Sequence, residues 1–193
     1  MAFVGGKPSR RVHSLSWLTD SADQKYVGTQ AHITIGTLRP TTAAGAYFAQ
    51  EEKRRFYMFD SIPDSYQALT PISVASISET KVMILHAPSE MIFTPASDAK
   101  MITGGFGLME STYTKGGQTD GAEFVISWSD GKESVELYRR RLDPLQKKND
   151  QGLQHFAVQL PPRTGGKIYL RVNNGPQNDT GWDWAGWTGI AIK

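Results

Sequence analysis

The chain has 193 residues, a formal net charge of +2 and 21% charged residues, with a sequence pI of about 8.8. That balance lacks the clustered basic excess of a dedicated nucleic-acid binder. The absence of cysteine excludes a disulfide framework, thiolate metal sites and a thiol nucleophile.

The length permits a sizeable core, and one domain over residues 1–193 is the simplest organisation. The start, Met1-Ala2-Phe3-Val4-Gly5-Gly6-Lys7-Pro8, is too glycine-rich and too briefly apolar to read as a signal peptide. No run approaches about 18 apolar residues, so no membrane-spanning helix is expected and this chain is not expected to insert into a membrane.

Glycine (19) and proline (10) punctuate segments rich in Val, Ile, Thr and aromatic residues, which is the pattern of an all-β domain. Strands are predicted over Val12–Leu18 and Ala31–Thr37. The stretch Ala46–Phe59 combines helix formers around Glu51-Glu52-Lys53-Arg54-Arg55 with an aromatic end, and reads as a short helix or an exposed β-hairpin. Ala68–Ile77, with Pro71 and several serines, reads as edge structure or loop.

From Lys81 the signals are stronger. Val82–Ala87 and Met91–Thr94 form two strands around Pro88-Ser89-Glu90, and Lys100–Met109 forms a third whose glycines suit close packing or a bulge. Ala122–Trp128 and Ser134–Arg139 flank Ser129-Asp130-Gly131-Lys132, a hairpin in which Asp-Gly is expected to supply the positive φ values that a tight turn needs. Phe156–Leu160 and Lys167–Val172 follow. In the latter, Ile168, Leu170 and Val172 share one face, and Tyr169 and Arg171 the other. Strands at this spacing predict an antiparallel β-sandwich of jelly-roll type.

The last twenty residues concentrate the chemistry. Trp182, Trp184 and Trp187 sit in a polar stretch with Asn174, Asn178 and Asp183. An exposed indole can stack on the C–H face of a pyranose while amides and carboxylates fix its hydroxyls. The competing reading makes the indoles packing residues and Asp183 a backbone-capping group.

Five motifs stand out along the chain: Leu15-Ser16-Trp17 with Thr19, His86-Ala87-Pro88-Ser89-Glu90 before Met91-Ile92-Phe93, Phe106-Gly107, Asp120-Gly121-Ala122-Glu123-Phe124, and Asp183-Trp184-Ala185-Gly186-Trp187. In these the chain resembles the carbohydrate-binding-module-like β-sandwiches of the NPCBM or galactose-binding-like group. The resemblance covers residues 11–35 and 81–193, leaving 36–80 as an insertion or elaboration. It implies a non-catalytic, extracytoplasmic bacterial module that binds glycan or docks a glycan-processing protein. Trp184 and Trp187, within the family-like motif, are expected to be buried plugs. The expected binding residues are therefore Trp182, Asp183, Asn178 and Asn174.

No catalytic residues are expected. Histidines 13, 32, 86 and 155 lack metal-ligand spacing, and His86 reads as a satisfied, partly buried histidine. Glu90, Glu110, Asp120 and Glu123 would have to converge in pairs to cleave a glycosidic bond, and the sequence contains no Gly-x-Ser-x-Gly elbow, phosphate loop or dinucleotide fingerprint. No cofactor or metal is assigned. A structural calcium, common in related sandwiches, is the alternative to that expectation, with Asp20, Asp23, Asp179 and Asp183 as candidates by type alone. The basic runs Lys53-Arg54-Arg55 and Arg139-Arg140-Arg141, with Lys147-Lys148, are short and stand next to acidic residues such as Glu51, Glu52, Glu136 and Asp143, and read as solvated faces. The competing function is a structural or protein-interaction domain of a membrane or surface assembly, in which all three indoles are core.

Overall fold

The computed structural model describes residues 55–162 and 165–193, which fall almost wholly in the compact unit Phe56–Lys193. The predicted strands at Val12–Leu18 and Ala31–Thr37, and most of Ala46–Phe59, lie outside the described residues. The end of that last stretch is a turn in which the Phe59 backbone N–H donates to the Phe56 carbonyl at 2.8 Å. Both rings enter the core.

Ten strands follow: β1 (Ser65–Ala68), β2 (Ser73–Ile77), β3 (Thr80–Ile84), β4 (Ser89–Phe93), β5 (Met101–Leu108), β6 (Ala122–Ser129), β7 (Ser134–Leu142), β8 (Gln154–Gln159), β9 (Lys167–Asn174) and β10 (Ala185–Ile192). They form two five-stranded sheets, β1-β4-β9-β6-β7 and β2-β3-β10-β5-β8. Every pairing is antiparallel. Only β2–β3 and β6–β7 are successive strands of one sheet; the other connections cross between sheets. The all-β sandwich read from the sequence is the architecture of this unit.

Period-two patterning explains which side chains meet. In β9, Ile168, Leu170 and Val172 are buried while Lys167, Tyr169, Arg171 and Asn173 are not. Their inward side chains join Met91, Phe93, Phe124 and Trp128 from the first sheet and Met83, Leu85, Phe106, Phe156 and Trp187 from the second. Trp187 anchors this core, tilted against Phe106 at 5.8 Å and edge-on to Phe124 at 5.2 Å between ring centroids.

On the outer face of the first sheet, the Arg139 guanidinium engages Glu136 and Glu123, and Arg171 pairs with Glu90 at 2.5 Å. Arg140 and Arg141 reach Asp150 and Asp143. The basic run is thus an ion-paired ladder along an edge strand. Such charges also discourage edge-to-edge pairing.

The segment expected to be an insertion is, in its described part, built into the sandwich. β1 edges one sheet by pairing with β4, and β2 edges the other by pairing with β3. Tyr66 and Ile72 pack against the core. Serine and proline content disguised these strands, because edge strands bury only half their side chains and tolerate such residues.

Candidate functional site

The site is the loop from β9 to β10, residues 175–184, together with the loop that enters β6. Backbone bonds hold its C-terminal end to the sandwich. The Ala87 N–H donates to the Asp183 carbonyl at 3.2 Å, Leu85 N–H to the Ala185 carbonyl at 2.9 Å, and Met109 N–H to the Trp184 carbonyl at 3.0 Å. The residues that begin β10 are therefore fixed by the ends of β3 and β5. Asn178 and Trp182 adopt left-handed backbone, with φ of 56° and 65°, a conformation that non-glycine residues adopt only where surroundings hold them.

Alternation then sorts the indoles. Trp187 is 1% exposed, whereas Trp182 is 46% and Trp184 36% exposed. Trp187 is the plug expected of it. Trp184 is not a plug, contrary to expectation: it lies an odd number of residues from Trp187, and a period of two sends them to opposite sides. Its ring stands edge-on to His86 at 4.7 Å. His86 is itself buried, with Nδ1 2.7 Å from the Ala87 carbonyl, as expected of a satisfied core histidine.

Of the other expected binding residues, Asn178 is exposed, Asn174 is half-buried and Asp183 is 0% exposed. Asp183 shares the inward parity of Trp187, so its carboxylate cannot meet a ligand at the surface. It faces other oxygens instead. Carboxylate oxygens of Asp120, Asp179 and Asp183 lie within 4.8 Å of one another.

The hydrogen bonds around this cluster leave acceptors over. The Thr119 hydroxyl donates to Asp183 Oδ1 at 2.9 Å and accepts from the Gly121 N–H at 3.0 Å. Gln177 N–H donates to Asp120 Oδ2 at 2.6 Å, and Gly181 N–H to Asp179 Oδ1 at 2.8 Å. Among the described residues, three buried side-chain atoms have no hydrogen-bond partner: Asp120 Oδ1, Asn174 Oδ1 and Asp183 Oδ2. All three are oxygens; two belong to the carboxylate cluster, and the third is on Asn174 at the end of β9, where the loop begins. Gly175 makes the approach possible, since a Cβ there would stand 2.0 Å from Asp120 Oδ1.

Burial raises the Asp183 carboxyl to about 6, against the pull of the Thr119 hydroxyl and the Gly175 backbone; the neighbouring Asp120 and Asp179 carboxylates push it up further. Such a concentration of negative oxygen repels anions and suits a hard cation. Asp179 and Asp183 were two of the four calcium candidates by type, and the fold brings them together with Asp120. Asp20 and Asp23 lie outside the described residues. Asp120 enters the sequence reading as a candidate catalytic acid and within the motif that carries the family resemblance, not as a cation ligand. Its separation from Asp183 hid the pairing, and the polar turn Thr119-Asp120-Gly121 was its one local signal. Glu90 and Glu123, weighed alongside it, are occupied by arginines.

No protein-family model matches the chain. No curated protein matches it either. Solved structures similar to it include carbohydrate-binding modules of families 51 and 6. The family 51 module of Clostridium perfringens GH95, solved with methyl-galactose, is 14% identical over 68% of this chain and 94% of that one, with a TM-score of 0.49. The CBM51-2 and INT domains of Clostridium perfringens ZmpB are 16% identical over 67% of this chain, with a TM-score of 0.47. This chain spans only 29% of that protein. The C-terminal CBM6 of LamC from Zobellia galactanivorans is 16% identical over 65% of this chain and 92% of that one, with a TM-score of 0.35.

Proposed function

We propose that the chain is a non-catalytic, extracytoplasmic carbohydrate-binding module whose contact surface is the loop carrying Trp182 and Trp184. The supporting observation is the exposure of these two indoles on a loop whose C-terminal end is bonded to two strands. A large flat ring left in water costs free energy unless a partner covers it. Trp182 is presented by a left-handed backbone, and Asn178 and Gln177 beside it are exposed. Stacking on the indole with amides ordering the hydroxyls needs no covalent step. Asp183 takes no part in contact; it supports the loop from within.

The same exposure sets this reading against a purely structural or protein-interaction domain, in which all three indoles would be core. Among the described residues, no helix is long and apolar enough to cross a membrane. Partners on this reading are glycans, or a glycan-processing protein that the module positions.

The test is a printed array of terminal-hexose and N-acetylhexosamine glycans, probed with the wild type, Trp182→Ala and Trp184→Ala, each checked for folding by circular dichroism. Wild-type retention with loss of at least roughly tenfold in Trp182→Ala is expected, about what removing a stacking ring of 0.5–1.5 kcal/mol plus its buried area produces. Retention unchanged in both variants, or none by the wild type, removes the assignment.

A further inference from the structure

We propose that β8 is a self-association edge: two copies of the chain pair β8 with β8, antiparallel about a twofold axis through Ala157, and so join their second sheets into one.

The four edge strands differ in what protects them. An edge strand carries unpaired N–H and C=O groups, and proteins guard it with short length, charge, proline or a bulge. In the first sheet, β1 has four residues, while β7 carries Glu136, Arg139, Arg140 and Arg141 and a register shift opposite Ile126 and Ser127. In the second sheet, β2 has five residues and runs directly into the left-handed Ser78 and Glu79. β8, Gln154-His155-Phe156-Ala157-Val158-Gln159, has no Asp, Glu, Lys, Arg or Pro. It pairs with β5 along its whole length without a register shift, and among the described residues no strand lies on its other side.

The phase of the ladder shows which groups face outward. The Leu160 N–H donates to the Lys100 carbonyl at 2.8 Å, and the register continues through Val158 opposite Ile102 and Phe156 opposite Gly104. Bonded and non-bonded pairs alternate in an antiparallel ladder. Val158, Phe156 and Gln154 therefore turn their backbone groups to β5, and His155, Ala157 and Gln159 turn theirs away. All three of the latter are exposed. This run is closed at both ends, since the Leu153 N–H is engaged by Ser78 Oγ at 3.4 Å and Pro161 has no N–H.

Those three residues select both the partner and the register. Only pairing about Ala157 brings each of them opposite another: Ala157 meets Ala157, and His155 meets Gln159 on either side. Two bonds for each such pair give about six across the seam. No like charges are opposed, and the smallest side chain lies on the axis. On the inner side, Phe156 and Val158, 6% and 9% exposed, become neighbours across the seam. An interface that uses the same patch on both copies closes as a dimer. Its narrowness puts that dimer in the weak, concentration-dependent class.

The experiment uses the whole chain. Sedimentation velocity over about 5–500 µM brackets a weak contact, and a shift from monomer to dimer across that range is expected. Ala157→Lys sets like charges against each other on the axis and should weaken dimerisation by roughly tenfold or more. Its circular dichroism should match the wild type, because the position is exposed.

Single cysteines read the register, in a chain that has no other thiol. Under mild oxidation Ala157→Cys should give a disulfide-linked dimer, since bonded pairs stand about 5.5 Å apart between Cα atoms and a disulfide spans about 4.4–6.8 Å. Gln159→Cys should not, because its two copies lie about 13 Å apart along the seam. A wild type that is monomeric throughout overturns the proposal and leaves the edge to a foreign extended peptide or to solvent. Dimerisation undiminished in Ala157→Lys, or equal crosslinking by the two cysteine variants, places the contact elsewhere and overturns it as well.

Discussion

Thr119 and Asp183, 64 residues apart in the chain, are joined by a 2.9 Å hydrogen bond inside the protein, the hydroxyl donating to Oδ1. The same hydroxyl accepts from the Gly121 N–H at 3.0 Å. This one side chain therefore orients the buried carboxylate at the base of the tryptophan loop and closes the turn into β6, coupling two loops that are distant in the chain.

Replacing Thr119 with valine keeps the shape and removes both bonds. Thr119 is 1% exposed, so the Asp183 oxygen and the Gly121 N–H lose their partner where water cannot readily replace it. A loss of about 1–3 kcal/mol is expected. Thr119→Ser, which keeps the hydroxyl, should recover most of it. Urea denaturation of the three proteins decides the matter, and a valine variant as stable as the wild type would deny the hydroxyl this role.

The indoles should divide sharply under substitution. Trp187→Ala opens a cavity among Phe106, Phe124 and Phe156, the rings that surround it, and should cost about 3–5 kcal/mol. Trp182→Ala, at 46% exposure, should change stability by only about 0.5 kcal/mol. Equal losses in the two melting curves would mean that Trp182 is a packing residue and would undercut its assignment as a platform.

These contrasts mark what the sequence discloses. The inward alternation of β9 and the β6–β7 hairpin are local patterns and were legible. Gly131 has φ of 87°, while Asp130 contributes through its carboxylate, which accepts from the Lys132 and Glu133 N–H groups. The β2–β3 turn was not legible, because its left-handed positions are Ser78 and Glu79, with φ of 47° and 66°, where Asn-Gly is the usual signal. Trp184 departs from the buried plug that the family-like motif implies because strand parity sets its side opposite to Trp187. The carboxylate cluster is hidden for another reason: the pairing of β6 with β9 sets Asp120 near the start of the loop by placing Ala122 opposite Asn174, while Asp183 is set by backbone bonds at the ends of β3 and β5. Long-range register of this kind has no local sequence signal.

Asp183 should also leave a mark on the pH dependence of stability. Burial, aided by the nearby carboxylates, raises its carboxyl from 3.8 to about 6, so the folded state holds this proton more tightly than the unfolded chain. Its contribution is then fully present below pH 3.8 and is lost as pH rises through about 6; over the whole window it amounts to roughly 3 kcal/mol. Glu123 runs the opposite way. Burial works to raise it, but hydrogen bonds from Asn173 and Arg139 outweigh that and hold it below the ordinary value, so its contribution is lost on acidification. Comparing wild type with Asp183→Asn cancels Glu123 and isolates Asp183. In urea titrations below about pH 4 and above about pH 7, the wild type should lose ground to the variant as pH rises. The asparagine keeps an oxygen for the Thr119 hydroxyl and offers N–H donors in place of the unpartnered Oδ2. A stability difference that is flat with pH would show that Asp183 is not a strained, buried acid.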